Sequence, residues 1–207
     1  MSRWEPNARE RLERAALELY GERGFDRTTV AEIARRAGLT ERTFFRHFAD
    51  KREVLFWGET ALQDVCVNAV AAAPAGAAPI DALAAALDAA AALLEERRAF
   101  ARQRQAVVAG NARLQERELI KLASLSAALA AALRGRGVTE PAASLTAEAG
   151  MVVFKIAFAR WVDEPGQGGL APLIRDSLAQ LRAVAGGEDG RWEGRRDHSY
   201  EGRRDHS

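Results

Sequence analysis

Apolar residues recur along this chain with the three-and-four spacing of helices. Leu12, Ala15, Ala16, Leu19 and Tyr20 form one face of a helix over 7–23, with Asn7 as N-cap and Gly24 as stop. Thr29 and Glu32 have the spacing of a capping box and open a second helix whose inner face is Val30, Ile33, Ala34 and Ala37. Gly38 supplies the positive φ of a sharp exit. Thr40 caps a third short helix ending near Phe48, and Asp50 to Glu53 repeats the cap pattern at the head of a fourth, running from Lys51 to about Ala72. Beyond "APAGAAP" at 73–79 the same periodicity predicts helices over 80–94, 97–109, 114–134, 141–162 and 170–184. "DEPGQGG" at 163–169 is a loop. No alternating strand pattern is bounded by turn residues, so the class is all-α. An N-terminal domain over 1–52 precedes a helical body over 53–186.

The third helix has two faces. On a wheel of about 100° per residue, Phe44 and Phe48 lie about 40° apart, while Arg42 and Arg46 lie about 160° and about 200° from Phe44. Phe45 flanks the two faces at about 100°, and Thr43 and His47 occupy the other side. The glycine turn "AGLT" joins this helix to the second, and that pairing is a helix-turn-helix signature. In that motif the second helix enters the DNA major groove.

Charge sharpens the picture locally rather than globally. The whole 207-residue chain carries a formal net charge of +1. From Arg27 to Arg52, seven cationic side chains face three carboxylates, a local +4 of the kind that phosphate attraction needs. The helix starts at Thr29, Thr40 and Asp50 add N–H groups suited to phosphate. The bland alternative, a solvated face on an ordinary three-helix domain, does not account for the cap, the turn and the two-faced helix together.

Other functions recede. The histidines stand at 47, 198 and 206, so the helical body holds no His-based triad or metal site. No enzyme, cofactor or metal is expected. The single cysteine, Cys66, fits a reducing compartment and a small core residue. No apolar run reaches the roughly 18 residues of a membrane span, and the charged N-terminus has no signal-peptide core; a cytoplasmic protein without membrane contact is expected. "EGRRDHS" stands at 193–199 and again at 201–207, and the polar segment 187–207 reads as a flexible tail.

"ELYGERGFDRTTV", "IARRAGLT", "FFRHF" and the following "DK" resemble the N-terminal domain of TetR-family transcriptional regulators over about residues 8–56. "RW" at 160–161 with Leu170 resembles an actinobacterial-type branch of that family. The resemblance implies a homodimeric repressor on a palindromic double-stranded operator, released by a small-molecule effector. By position it implies Glu41, Arg42, Thr43 and Arg46 at or near base edges, alongside the cap Thr40. It implies Thr29, Phe45, His47 and Lys51 at phosphate or sugar. The family often has tyrosine where Phe45 stands, and phenylalanine cannot donate that hydroxyl's hydrogen bond.

For the effector pocket the apolar candidates are Phe100, Val107, Val108, Leu122, Met151, Phe154 and Phe158, each also suited to plain core packing. Arg98, Arg102 and Gln105 share a face that reads first as solvated; the alternative is an inward arginine there, Arg102 among the pocket candidates, suited to an anionic ligand such as a fatty acyl-CoA or a carboxylate. The effector is therefore expected to be apolar or acyl-like and anionic. Leu145, Val152 and Ile156, with Leu170, Leu173, Leu178 and Leu181, form the stripe expected at the dimer interface, where two helix pairs make a four-helix bundle. A second function stays open: a helical small-molecule carrier or protein-interaction module with a vestigial DNA-binding head.

Overall fold

The computed structural model describes residues 8–56, 58–163 and 168–186. Asn7, the expected first cap, the middle of the 163–169 loop and the tail with its duplicated heptapeptide lie outside them. The described residues form ten helices and no strand.

The head consists of α1 (Ala8–Arg23), α2 (Val30–Arg36), α3 (Glu41–His47) and α4 (Glu53–Phe56). Its core gathers Leu12, Leu19, Tyr20, Ile33, Phe44, Phe48 and the whole apolar set of α4, Val54 to Phe56. The body consists of α5 (Glu59–Ala72), α6 (Pro79–Glu95), α7 (Arg98–Ala109), α8 (Ala112–Gly135), α9 (Ala142–Asp163) and α10 (Leu170–Gly186). Leu83, Leu87, Leu129, Leu133, Phe154 and Trp161 anchor a second, separate core there.

The single helix expected over 51–72 is two helices. Gly58 sits in the left-handed region at φ +93°, a conformation that a continuous helix does not contain. The head core thus extends to Phe56, past the boundary at 52 that the cap pattern suggested.

Local rules explain most of the joints. Pro79 occupies the first turn of α6, where its missing N–H costs nothing. The end of α5 carries no cation of its own; Arg136, just past α8, donates to the carbonyls of Val70, Ala73 and Pro74 at 3.1, 2.7 and 2.6 Å. Small residues set the helix spacing in the body. Ala82, Ala86 and Ala90 are buried on α6, and a Cβ at Gly150 of α9 would lie 2.5 Å from Leu83 Cδ2.

Polar ties among the described residues fasten the head to the body. Arg97 pairs with Glu13 of α1. Arg104 Nε donates to Leu55 O of α4 at 2.5 Å. Asn111, whose side chain caps α8, donates to Asp26 Oδ2 at 3.1 Å. Val108 and Leu114 complete the seam by entering the head core.

Candidate nucleic-acid interface

The turn before α3 fixes how that helix is presented. Gly38 has φ +65°, its N–H reaches Arg35 O at 3.0 Å, and Leu39 N–H reaches Ala34 O at 2.8 Å. These two bonds form a Schellman motif, which satisfies the Ala34 and Arg35 carbonyls at the end of α2. Arg11 of α1 donates to Ala37 O at 2.6 Å and braces the same turn. On the other side Thr40 takes the Thr43 N–H at 3.2 Å. Phe44 and Phe48 are buried and hold α3 to the head.

What remains outward is Thr40, Glu41, Arg42, Phe45 and Arg46, all exposed, with Thr43 half-buried beside them. Phe45 is 54% exposed although an apolar ring of that size gains from burial. The electrostatics single out the same face. Arg36 is held by Glu18 and Glu22, Arg23 by Glu32, and Arg52 by Asp50. Arg42 and Arg46 form no ion pair among the described residues. Besides Arg42 and Arg46 of α3, exposed Arg35 and Arg27, whose Nε donates to Arg23 O at 2.7 Å, also stand outside ion pairs among the described residues.

Three expected contacts change character. Lys51 does not project as a free point charge. Its ammonium donates to the carbonyls of Phe25, Asp26 and Thr28 at 2.9, 3.3 and 2.8 Å, which occupies all three donors, and it lies 4.5 Å over the Phe25 ring. Thr29 is engaged in the complete capping box with Glu32. The N–H groups expected to receive phosphate at Thr29, Thr40 and Asp50 are already partly taken by these side chains; Asp50 accepts from Arg52 and Glu53 at 2.7 and 3.1 Å. His47 is half-buried, and its Nε2 has no hydrogen-bond partner among the described residues. Burial, then Arg46 and Arg9 nearby, push its pKa below the usual histidine value, so it is neutral at pH 7.

The effector candidates do not converge on one pocket. Phe100 and Val107 pack on the head core together with buried Val108, and the Arg97 guanidinium lies 4.3 Å over the Phe100 ring. Leu122, Met151, Phe154 and Phe158 belong to the body core, where Phe154 and Phe158 stack at 5.6 Å. Arg102 is exposed, in line with the solvated-face reading of that stretch and not with an inward cation. Arg98 donates to Trp161 O at 2.9 and 2.6 Å, a structural clamp. The inward arginine of α7 is Arg104, 6% exposed. It shares its face with Ala101 and Val108, a spacing that was available in the sequence.

The expected interface stripe divides in two. Leu170, Leu173 and Leu178 are buried in their own chain, and Leu181, half-buried, packs against the same core. Leu145, Val152 and Ile156 of α9 are 65%, 43% and 52% exposed. By length and composition α9 is apolar enough to cross a membrane, and 39% of that window is buried in the body.

Comparison with known proteins places this architecture. Residues 13–56 match the profile of the bacterial regulatory proteins of the tetR family. The HTH-type transcriptional regulator TcmR of Streptomyces glaucescens is 41% identical over 75 residues, which are 36% of this chain and 33% of TcmR, so the match spans about a third of that relative. Among solved structures, the Thermus thermophilus FadR, a TetR-family repressor in complex with lauroyl-CoA, superposes with a TM-score of 0.51 at 25% identity, over 84% of this chain and 92% of FadR. The triclosan complex of SmeT, the multidrug efflux pump repressor of Stenotrophomonas maltophilia, gives a TM-score of 0.60 at 21% identity, over 86% of this chain and 91% of SmeT. Two cores joined by α4 and α7, and a helix-turn-helix with an outward cationic face, agree with the matched head: residues 13–56 are similar to the N-terminal domain of the tetR family of bacterial regulatory proteins, and the fold of the whole chain is that of its solved neighbours.

Proposed function

We propose that the protein is a sequence-specific DNA-binding transcriptional regulator of the cytoplasm, a repressor released by a small-molecule ligand. The observation that carries this reading is α3: a helix locked by its turn that leaves Arg42 and Arg46 outward with no ion pair among the described residues, and Phe45 exposed beside them with only its edge-to-face contact to Phe44. Arg42 and Arg46 suit guanine O6 and N7, Glu41 suits cytosine N4, and Phe45 suits a thymine methyl. Thr40, Thr43 and His47 lie at the margins, where phosphate and sugar contacts set register.

A dimer follows from half-site recognition. The exposed α9 residues Leu145, Val152 and Ile156 are its proposed seam, with Val184 of α10, 67% exposed, alongside. Release by a ligand draws support from the fold neighbours, whose structures hold lauroyl-CoA and triclosan. The head–body ties through Arg97, Arg104 and Asn111 give a ligand in the body a mechanical route to α3.

Footprinting on DNA upstream of the protein's own gene tests the reading. A salt-sensitive footprint over a palindrome is expected, and no selective footprint there refutes it. Within it, Arg42→Ala should cost about 1–3 kcal/mol and relax selectivity at one base pair per half-site. An unchanged footprint and affinity removes Arg42 from the base-reading set.

A further inference from the structure

Five ionisable side chains meet where α4, α5, α7 and α8 converge. Arg104 pairs with Glu118, and Arg117 Nη2 pairs with Glu59 at 3.0 Å. Lys121 is left over: its Nζ lies 3.9 Å from Glu118, whose carboxylate is already committed to Arg104, and its side chain is 14% exposed. The Phe56 ring lies between the two guanidinia, 4.9 Å from Arg104 and 5.2 Å from Arg117. Three cations against two carboxylates leave one positive charge largely shielded from water, an arrangement that is costly unless something balances it.

We propose that Lys121, with Arg104 and Arg117, forms a binding site for the carboxylate of a small organic acid, and that filling it alters DNA affinity through Arg104 and Leu55. One negative charge neutralises the cluster, whereas a phosphate dianion reverses its sign. A carboxylate accepts hydrogen bonds from an ammonium that makes none among the described residues. Burial and Arg104 lower the Lys121 pKa, and an incoming anion raises it again. The coupling is structural. A new anion competes with Glu118 for the cations, Arg104 answers to both, and Arg104 also holds the Leu55 carbonyl at the end of the head. This regulatory half of the proposal rests on the DNA-binding reading above; the site itself does not.

The test uses the full chain, with decanoate and benzoate as probes and decanol as the uncharged twin, titrated calorimetrically without DNA. Saturable binding of a carboxylate but not of decanol is expected. Lys121→Met and Lys121→Gln, each checked by thermal melting, should weaken it about tenfold or more, and Lys121→Arg should retain it. No saturable binding of either acid, or undiminished binding by a folded Met or Gln variant, overturns the site. Anisotropy of labelled upstream DNA then reads the coupling. A shift in DNA affinity of about tenfold at saturating acid is expected, and DNA binding indifferent to bound acid overturns the coupling. A chain that binds the acid but no DNA refutes the regulator reading and leaves the site intact.

Discussion

Gly38→Ala isolates the joint on which α3 hangs. Two penalties add. An L-residue at φ +65° costs about 1–2 kcal/mol. The new Cβ would lie 2.8 Å from Arg11 Nη2, so the guanidinium must move off Ala37 O, losing a charge-assisted bond worth about 1.5 kcal/mol at a partly solvated site. The reduced freedom of the unfolded chain returns about 0.5–1 kcal/mol. The net loss is about 1.5–3 kcal/mol, confined to the head. In an Arg11→Ala background only the backbone penalty and the unfolded-state gain remain, so the same substitution should cost about 0–1.5 kcal/mol. Hydrogen exchange of the Leu39 and Phe44 amides reads the head directly, because both are bonded within this turn and helix. A loss below about 0.5 kcal/mol, or an equal loss with and without Arg11, refutes the account of the turn.

Other outcomes follow from single side chains. Lys51→Met should destabilise the head by about 2–3 kcal/mol, because three carbonyls lose a charged donor, while the salt dependence of DNA binding by the folded variant stays unchanged; a salt slope reduced by about one would make Lys51 a phosphate contact instead. Cys66 is buried and its thiol pKa is pushed up to about 11 by desolvation, so it should resist alkylation at pH 8 until denaturant is added; rapid labelling of the native protein would show that the core around it opens. Burial depresses the pKa of His47, so the unfolded chain binds a proton more readily than the folded head. Its contribution is fully present above about pH 6.5 and is lost as pH falls through the lower folded value. An NMR titration of His47 with a midpoint at or above about 6.5 would contradict this.

The sequence by itself determined the elements and the two-faced character of α3. Caps, glycine stops and apolar spacing act within about four residues, so Thr29, Gly38, Thr40 and the pair Phe44 and Phe48 were legible from their neighbours. The split at Gly58 was not, because an isolated glycine is tolerated inside a helical pattern and only the docking of α4 into the head core shows that the chain turns there. Tertiary structure alone decided which partner each long side chain takes. Lys51 meets carbonyls 23 to 26 residues away, and Arg104 meets Leu55 49 residues away. Periodicity says that a stripe is apolar without saying what covers it, so Leu170, Leu173 and Leu178 went to their own core while Leu145, Val152 and Ile156 stayed outward. The physical reason is range: hydrogen bonds of the backbone and its caps are local along the chain, whereas burial and charge pairing depend on which helices pack together.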